Sequence, residues 1–115
     1  MVVFDLRERI FEYVLKVMSL VKVLPNNQIN KIFIDQIVRS ASSIGANYEE
    51  ADGTPTKKDF SYKMSIVKKE AKETKYWLKL IKANNTELHG IIESIEANNE
   101  ELIKIISKII INSSS

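Results

Sequence analysis

The sequence predicts an all-α fold, an up-down-up-down four-helix bundle, and three observations predict it. Apolar residues recur at alternating spacings of three and four along four stretches of the chain. Three glycines and two prolines in 115 residues are too few for the turns of a many-stranded β fold. Short polar breaks separate the four stretches, which favours antiparallel neighbours. With 44% apolar and 28% charged residues, the chain is expected to form one domain over 1–115.

The first helix is predicted over about 5–23, where Leu6, Ile10, Tyr13, Val17 and Leu20 form one apolar row. A second row, Phe4, Phe11, Val14, Met18 and Val21, lies beside it. Together they make a face wider than one core requires, so part of it is expected to meet another chain. Pro25-Asn26-Asn27 ends the segment.

The second helix, about 30–51, carries Phe33, Ile37, Ser40, Ile44, Asn47 and Ala51 on one row, with small residues in its middle. Ser40-Ala41-Ser42-Ser43 and Gly45-Ala46 lower helix propensity, by about 1 kcal/mol for the glycine alone, and predict a tight helix crossing that compensates. In Asp52-Gly53-Thr54-Pro55, Gly53 suits a left-handed C′ position and Thr54-Pro55 an N-cap and first helical residue, with Thr56 and Asp59 as the competing start.

The third helix, about 56–84, has the strongest pattern: Phe60, Met64, Val67, Ala71, Thr74, Leu78 and Ile81 at strict four-three spacing. Asn84-Asn85-Thr86 stops it. The fourth helix, about 88–111, uses Leu88, Ile92, Ile95, Leu102, Ile106 and Ile109, with Asn98-Asn99 as a point of local loosening and a frayed serine end at 113–115.

The absence of cysteine excludes disulfide scaffolds and thiolate metal sites, and the single histidine, His89, excludes paired-imidazole sites, so no metal or cofactor is expected. His89 itself reads as a surface residue. Charged residues near the amino terminus argue against an export signal, and no stretch approaches the roughly 18–20 apolar residues of a membrane span. The expectation is a cytoplasmic protein.

Net charge is only +2, but it is unevenly spread. Nine lysines between Lys57 and Lys82 face three acids, Asp59, Glu70 and Glu73, a local excess of +6 that the rest of the chain offsets with −4. Lys68, Lys72, Lys75, Lys79 and Lys82 share one helical flank and extend about 21 Å, enough to follow several phosphates of RNA or DNA. Tyr62, Lys69 and Tyr76 form a neighbouring row, with Trp77 beside it, whose rings are of the kind that stack on unpaired bases. A solvated lysine face and aromatic packing residues explain the same pattern without a ligand.

Glu70 and Glu73 lie on a partly apolar row and need partners, for which Arg39 is suited because guanidinium binds carboxylates in a forked geometry. Two-metal chemistry on a bundle needs Glu-x-x-His pairs, and the chain has none.

The run Arg39 to Ala51, Lys57-Lys58-Asp59-Phe60, and Val67 to Leu78 resemble the bacterial four-helix-bundle family of 23S rRNA intervening-sequence proteins. The family's R-x-x-x-S-I-x-x-N-x-x-E pattern falls on Arg39, Ile44, Asn47 and Glu50, and its E-x-x-E-T-x-x-W-L element on Glu70, Glu73, Thr74, Trp77 and Leu78. The resemblance implies a protein encoded within ribosomal RNA genes or elsewhere in bacterial chromosomes. It also implies likeness to the accessory proteins of diversity-generating retroelements, which form basic pentamers that bind nucleic acid and a polymerase. No catalytic residue is known for the family.

Three functions follow as expectations. The first is a non-enzymatic homo-oligomer, with five copies from the resemblance, that binds RNA or DNA through the lysine stripe. The second is a protein-interaction scaffold or accessory subunit without nucleic-acid contact, and the third an enzyme using Glu70 and Glu73. Arg39, Asn47, Glu50, Glu70 and Glu73 are expected to form a structural polar network.

Overall fold

A computed structural model describes residues 3–113, with side chains from Leu6 onward; the serine end at 114–115 and the side chain of Phe4 lie outside the described residues. Four helices follow in order: α1 Val3–Val23, α2 Gln28–Asp52, α3 Lys57–Asn84 and α4 His89–Ser113, with a 3₁₀ turn Thr86–Leu88 before the last. Each connection reverses the chain. Arg7 near the start of α1 reaches Glu49 and Asp52 at the end of α2, at 2.9 and 2.7 Å, while Asn30 at the start of α2 meets Asn85 at the end of α3.

The starts of α2 and α3 are fixed by side-chain caps. Asn27 accepts the Asn30 backbone N–H at 2.8 Å, and Thr56 accepts that of Asp59 at 3.1 Å, each satisfying a donor that the first turn leaves unpaired. Thr56, not Thr54, therefore begins α3. Gly53 has φ −96°, so the expected left-handed cap is absent; its N–H turns back to the Glu50 carbonyl instead.

The predicted apolar rows line the core. Leu6, Ile10, Val17 and Leu20 of α1 meet Ile37, Ala41 and Ile44 of α2, Met64, Val67, Ala71, Leu78 and Ile81 of α3, and Ile92, Leu102 and Ile106 of α4, all buried. The surplus row of α1 divides: Val14 and Val21 pack against the core, while Phe11 is 62% exposed.

The tight crossing lies between α2 and α3. Ser40 and Thr74 are both fully buried, and their hydroxyls share a hydrogen bond at 2.8 Å, so only small side chains fit between the backbones. Gly45 has no part in it. A Cβ there would stand 3.7 Å from Ile10 Cγ2, an ordinary contact with α1. Gly45→Ala is therefore expected to stabilise the fold by about 0.5–1 kcal/mol, the cost of glycine inside a helix, and thermal melts of the two proteins measure it.

Three asparagines enter the interior. Asn99 lies within an unbroken α4, not at a loosened point, and donates through Nδ2 to the Tyr13 hydroxyl at 2.8 Å and the Ala71 carbonyl at 3.0 Å. It thereby joins α1, α3 and α4, and burial pushes the Tyr13 phenol above its ordinary range. Asn30 and Asn85 form a reciprocal amide pair, each donating to the other's Oδ1 at 3.0 Å. Asn30 also donates to the Pro25 carbonyl at 2.9 Å and Asn85 to that of Ile81 at 2.9 Å, so this pair ties the α1–α2 turn to the end of α3.

Candidate nucleic-acid interface

The outer side of α3 has two chemically different flanks, because the helix is packed between α2 and α4. On the α4 side, periodicity sets Lys68, Lys72, Lys75, Lys79 and Lys82 in a line. The structure also places acids beside two of them. Lys75 Nζ lies 2.5 Å from Glu100 Oε1, and Lys82 Nζ lies 2.8 Å from Glu96 Oε1 and 3.9 Å from Glu93 Oε2. Glu96 accordingly holds the Lys82 ammonium above its usual range, and Lys75 holds the Glu100 carboxyl below the usual carboxylate range.

The lysine pattern on α3 gave no hint of these acids, although Glu93, Glu96 and Glu100 share the three-four spacing that reveals the lysines. Their effect is to shorten the cationic ridge. Among the described residues Lys68, Lys72 and Lys79 have no ion pair, and neither has Lys69, which is exposed on the outermost row.

On the α2 side, Arg39 meets both carboxylates expected for it. Its Nη1 donates to Glu70 Oε1 at 3.3 Å and its Nη2 to Glu73 Oε2. The Trp77 indole N–H donates to the same Glu73 oxygen at 3.0 Å, and its ring tilts against Phe33 with centroids 6.3 Å apart. Trp77 first and Arg39 next hold the Glu73 carboxyl below the ordinary value of 4.5. Asn47 and Glu50 stand apart from this network: Asn47 donates to the Ser43 carbonyl of its own helix at 2.8 Å, and Glu50 pairs with Lys63 at 2.6 Å.

A lowered carboxyl stabilises the fold above the unfolded-state value, and that contribution disappears as pH falls through the folded-state one. Stability is expected to decline below about pH 4.5 in the wild type. Glu73→Gln keeps an acceptor for Trp77 but loses the charge facing Arg39. Its melting temperature is expected to be roughly 2–5 °C lower at pH 7, with a shallower acid limb, since the pair is partly exposed. Parallel acid limbs in the two proteins would count against this assignment.

The three candidate rings also separate. Trp77 is half-buried and held on three sides, whereas Tyr62 and Tyr76 are 65% and 55% exposed. His89 is exposed, with Nε2 3.1 Å from the Lys82 carbonyl. Among the described residues no group of three His, Cys, Asp or Glu side chains could hold a metal ion, and no helix is long and apolar enough to cross a membrane.

Residues 4–108 match the profile of the 23S rRNA-intervening sequence proteins. The chain belongs to that family. A crystal structure of an S23 ribosomal protein family member of unknown function, from Bacteroides thetaiotaomicron, superposes with a TM-score of 0.83 at 35% identity, covering 91% of this chain and 97% of the other. No curated protein sequence matches. Within this 23S rRNA-intervening sequence protein, the Arg39–Glu70–Glu73–Trp77 network is a brace between α2 and α3, and the cationic ridge lies on the other flank of α3.

Proposed function

We propose that this 23S rRNA-intervening sequence protein is a non-enzymatic, self-associating bundle that binds RNA or DNA through the α3 ridge. The observation that supports this reading is the set of three ammonium groups without an ion pair among the described residues, Lys68, Lys72 and Lys79, on one flank of a rigid helix. Between Lys68 and Lys79 they span about 16 Å. Such groups displace condensed counterions from phosphates, which makes affinity depend on salt. Lys75 and Lys82 contribute less, because a phosphate must compete with Glu100, Glu96 and Glu93 for them. Catalysis by Glu70 and Glu73 is disfavoured by their engagement with Arg39.

Fluorescence anisotropy with a labelled RNA or DNA oligonucleotide tests the reading. Lys68→Gln/Lys72→Gln/Lys79→Gln is expected to lower affinity by roughly 10²-fold at low salt and to flatten the salt dependence. Lys75→Gln/Lys82→Gln is expected to change it much less, and Glu96→Gln/Glu100→Gln to raise it. Absence of binding, or binding indifferent to salt and to the triple substitution, would overturn the proposal.

Self-association is supported by the apolar groups left outside the core, Phe11 and Leu15 on α1 and Ile91 and Ile111 on α4. Five copies enter this proposal from the likeness to the retroelement accessory proteins and not from these side chains, and a cytoplasmic location is proposed alongside. Light scattering that returns the 13.2 kDa monomer at micromolar concentration would remove the assembly. The same exposed groups favour a protein-interaction scaffold as the second reading, in which a protein partner stays bound after nuclease treatment.

A further inference from the structure

We propose that the bound nucleic acid is single-stranded, and that Tyr62 and Tyr76 are posts on which its bases stack. This rests on the nucleic-acid reading above and extends it to a class of ligand. Both rings stand on the outward row of α3, more than half exposed, and their Cα positions are about 21 Å apart along the helix. Lys69 lies midway on the same row and Lys72 beside it, both exposed and without an ion pair among the described residues. The row therefore alternates ring, ammonium, ring, which suits a strand whose phosphates and bases alternate in the same way.

Tyr76 is oriented before any ligand arrives. Its ring sits edge-on to Trp77, with centroids 5.6 Å apart and planes at 62°. Trp77 is itself fixed by its N–H bond to Glu73 and by Phe33, so little rotamer freedom remains to be lost on stacking. This gives the tilted, half-buried indole a purpose that its own burial denies it: it positions the ring that a base contacts.

A duplex gains little from such posts. Its base faces are already stacked on one another, and only edges and phosphates are presented outside. An unpaired base offers its whole face to a ring, whatever its identity, so the preference is for strandedness and not for sequence. At about 3.4 Å per stacked nucleotide, the interval between the tyrosines accommodates roughly six nucleotides.

The test compares an oligothymidylate of about 15 nucleotides with a duplex of equal length, at matched salt, for wild type, Tyr62→Leu/Tyr76→Leu, Tyr62→Phe/Tyr76→Phe and the triple lysine variant. The leucine pair is expected to lose about 10- to 100-fold in affinity for the single strand and to bind the duplex as wild type does. The phenylalanine pair keeps the wild-type preference, because the ring and not the hydroxyl carries the contact. The triple lysine variant weakens both probes.

Unchanged single-strand binding by the leucine pair, or parallel loss on both probes, overturns the assignment while leaving the lysine ridge intact. A leucine pair that changes the molar mass by light scattering overturns it too, by making the rings contacts between copies. If no probe binds wild type, the parent reading fails first.

Discussion

Ser40→Leu is expected to destabilise the bundle by about 3 kcal/mol or more, whereas Ser40→Ala should cost about 1 kcal/mol. The two substitutions separate space from hydrogen bonding. Ser40 is fully buried at the α2–α3 crossing with its hydroxyl 2.8 Å from that of Thr74, so the distance between the helices is set by two small polar side chains in direct contact. Alanine removes the Ser40 hydroxyl but leaves Thr74 its bond to the Glu70 carbonyl at 2.8 Å. Leucine cannot enter the same gap without forcing the helices apart, and that displacement also pulls Arg39, the preceding residue, away from Glu70 and Glu73. For a domain of this size the leucine variant should melt roughly 10–20 °C below wild type. Thermal denaturation followed by circular dichroism measures both. Equal melting temperatures for the two variants would show that the crossing has slack.

How legible these features were depended on how local their causes are. The helices and their buried rows follow from periodicity, because a helix that must bury one face writes that requirement at every third or fourth residue, as Met64 to Ile81 show. The small residues at Ser40 and Ala41 announced a crossing, but the sequence could not say which glycine or serine stood at the point of contact. That depends on the rotation of α2 against two neighbours, and it left Gly45 facing α1, where a Cβ would make an ordinary contact with Ile10. The lysine stripe was equally visible on its own helix. Its partial neutralisation was not, because the acids belong to α4 and the pairing depends on the relative height of two antiparallel helices. Arg39 with Glu70 and Glu73 was legible because complementary groups on adjacent helices had few other partners. Asn47 and Glu50, which share a motif with Arg39, turned to Ser43 and Lys63 instead. The buried asparagines gave no local signal at all. In a chain rich in exposed asparagine, only the long-range pairing of Asn30 with Asn85 distinguishes those two.

That pairing leads to the second large effect. Asn30→Asp changes one NH₂ group for an oxygen and leaves shape and volume nearly untouched, so any loss of stability reports hydrogen bonding and charge alone. In the wild type the Asn30 amide nitrogen donates to two acceptors, the Pro25 carbonyl at 2.9 Å and Asn85 Oδ1 at 3.0 Å, at a site with no exposed surface. A carboxylate oxygen in that place accepts and cannot donate, so both contacts become repulsive and a charge is left at a fully buried position. The expected loss at pH 7 is about 3–5 kcal/mol, larger than the roughly 2–4 kcal/mol expected for Asn30→Ala, which leaves the same two acceptors unpaired but adds no charge. The sign of the pH dependence then distinguishes the causes. Burial raises the introduced carboxyl in the folded protein above its unfolded value, so acidification protonates it, restores one donor and returns stability as pH falls from neutrality toward the unfolded-state value. Wild type, whose Glu73 and Glu100 carboxyls are lowered on folding, gains nothing from them over that interval and loses stability at lower pH. Melting curves at pH 7 and near pH 5 measure the difference, and an aspartate variant that tracks the alanine variant at both values would show that water reaches the amide pair.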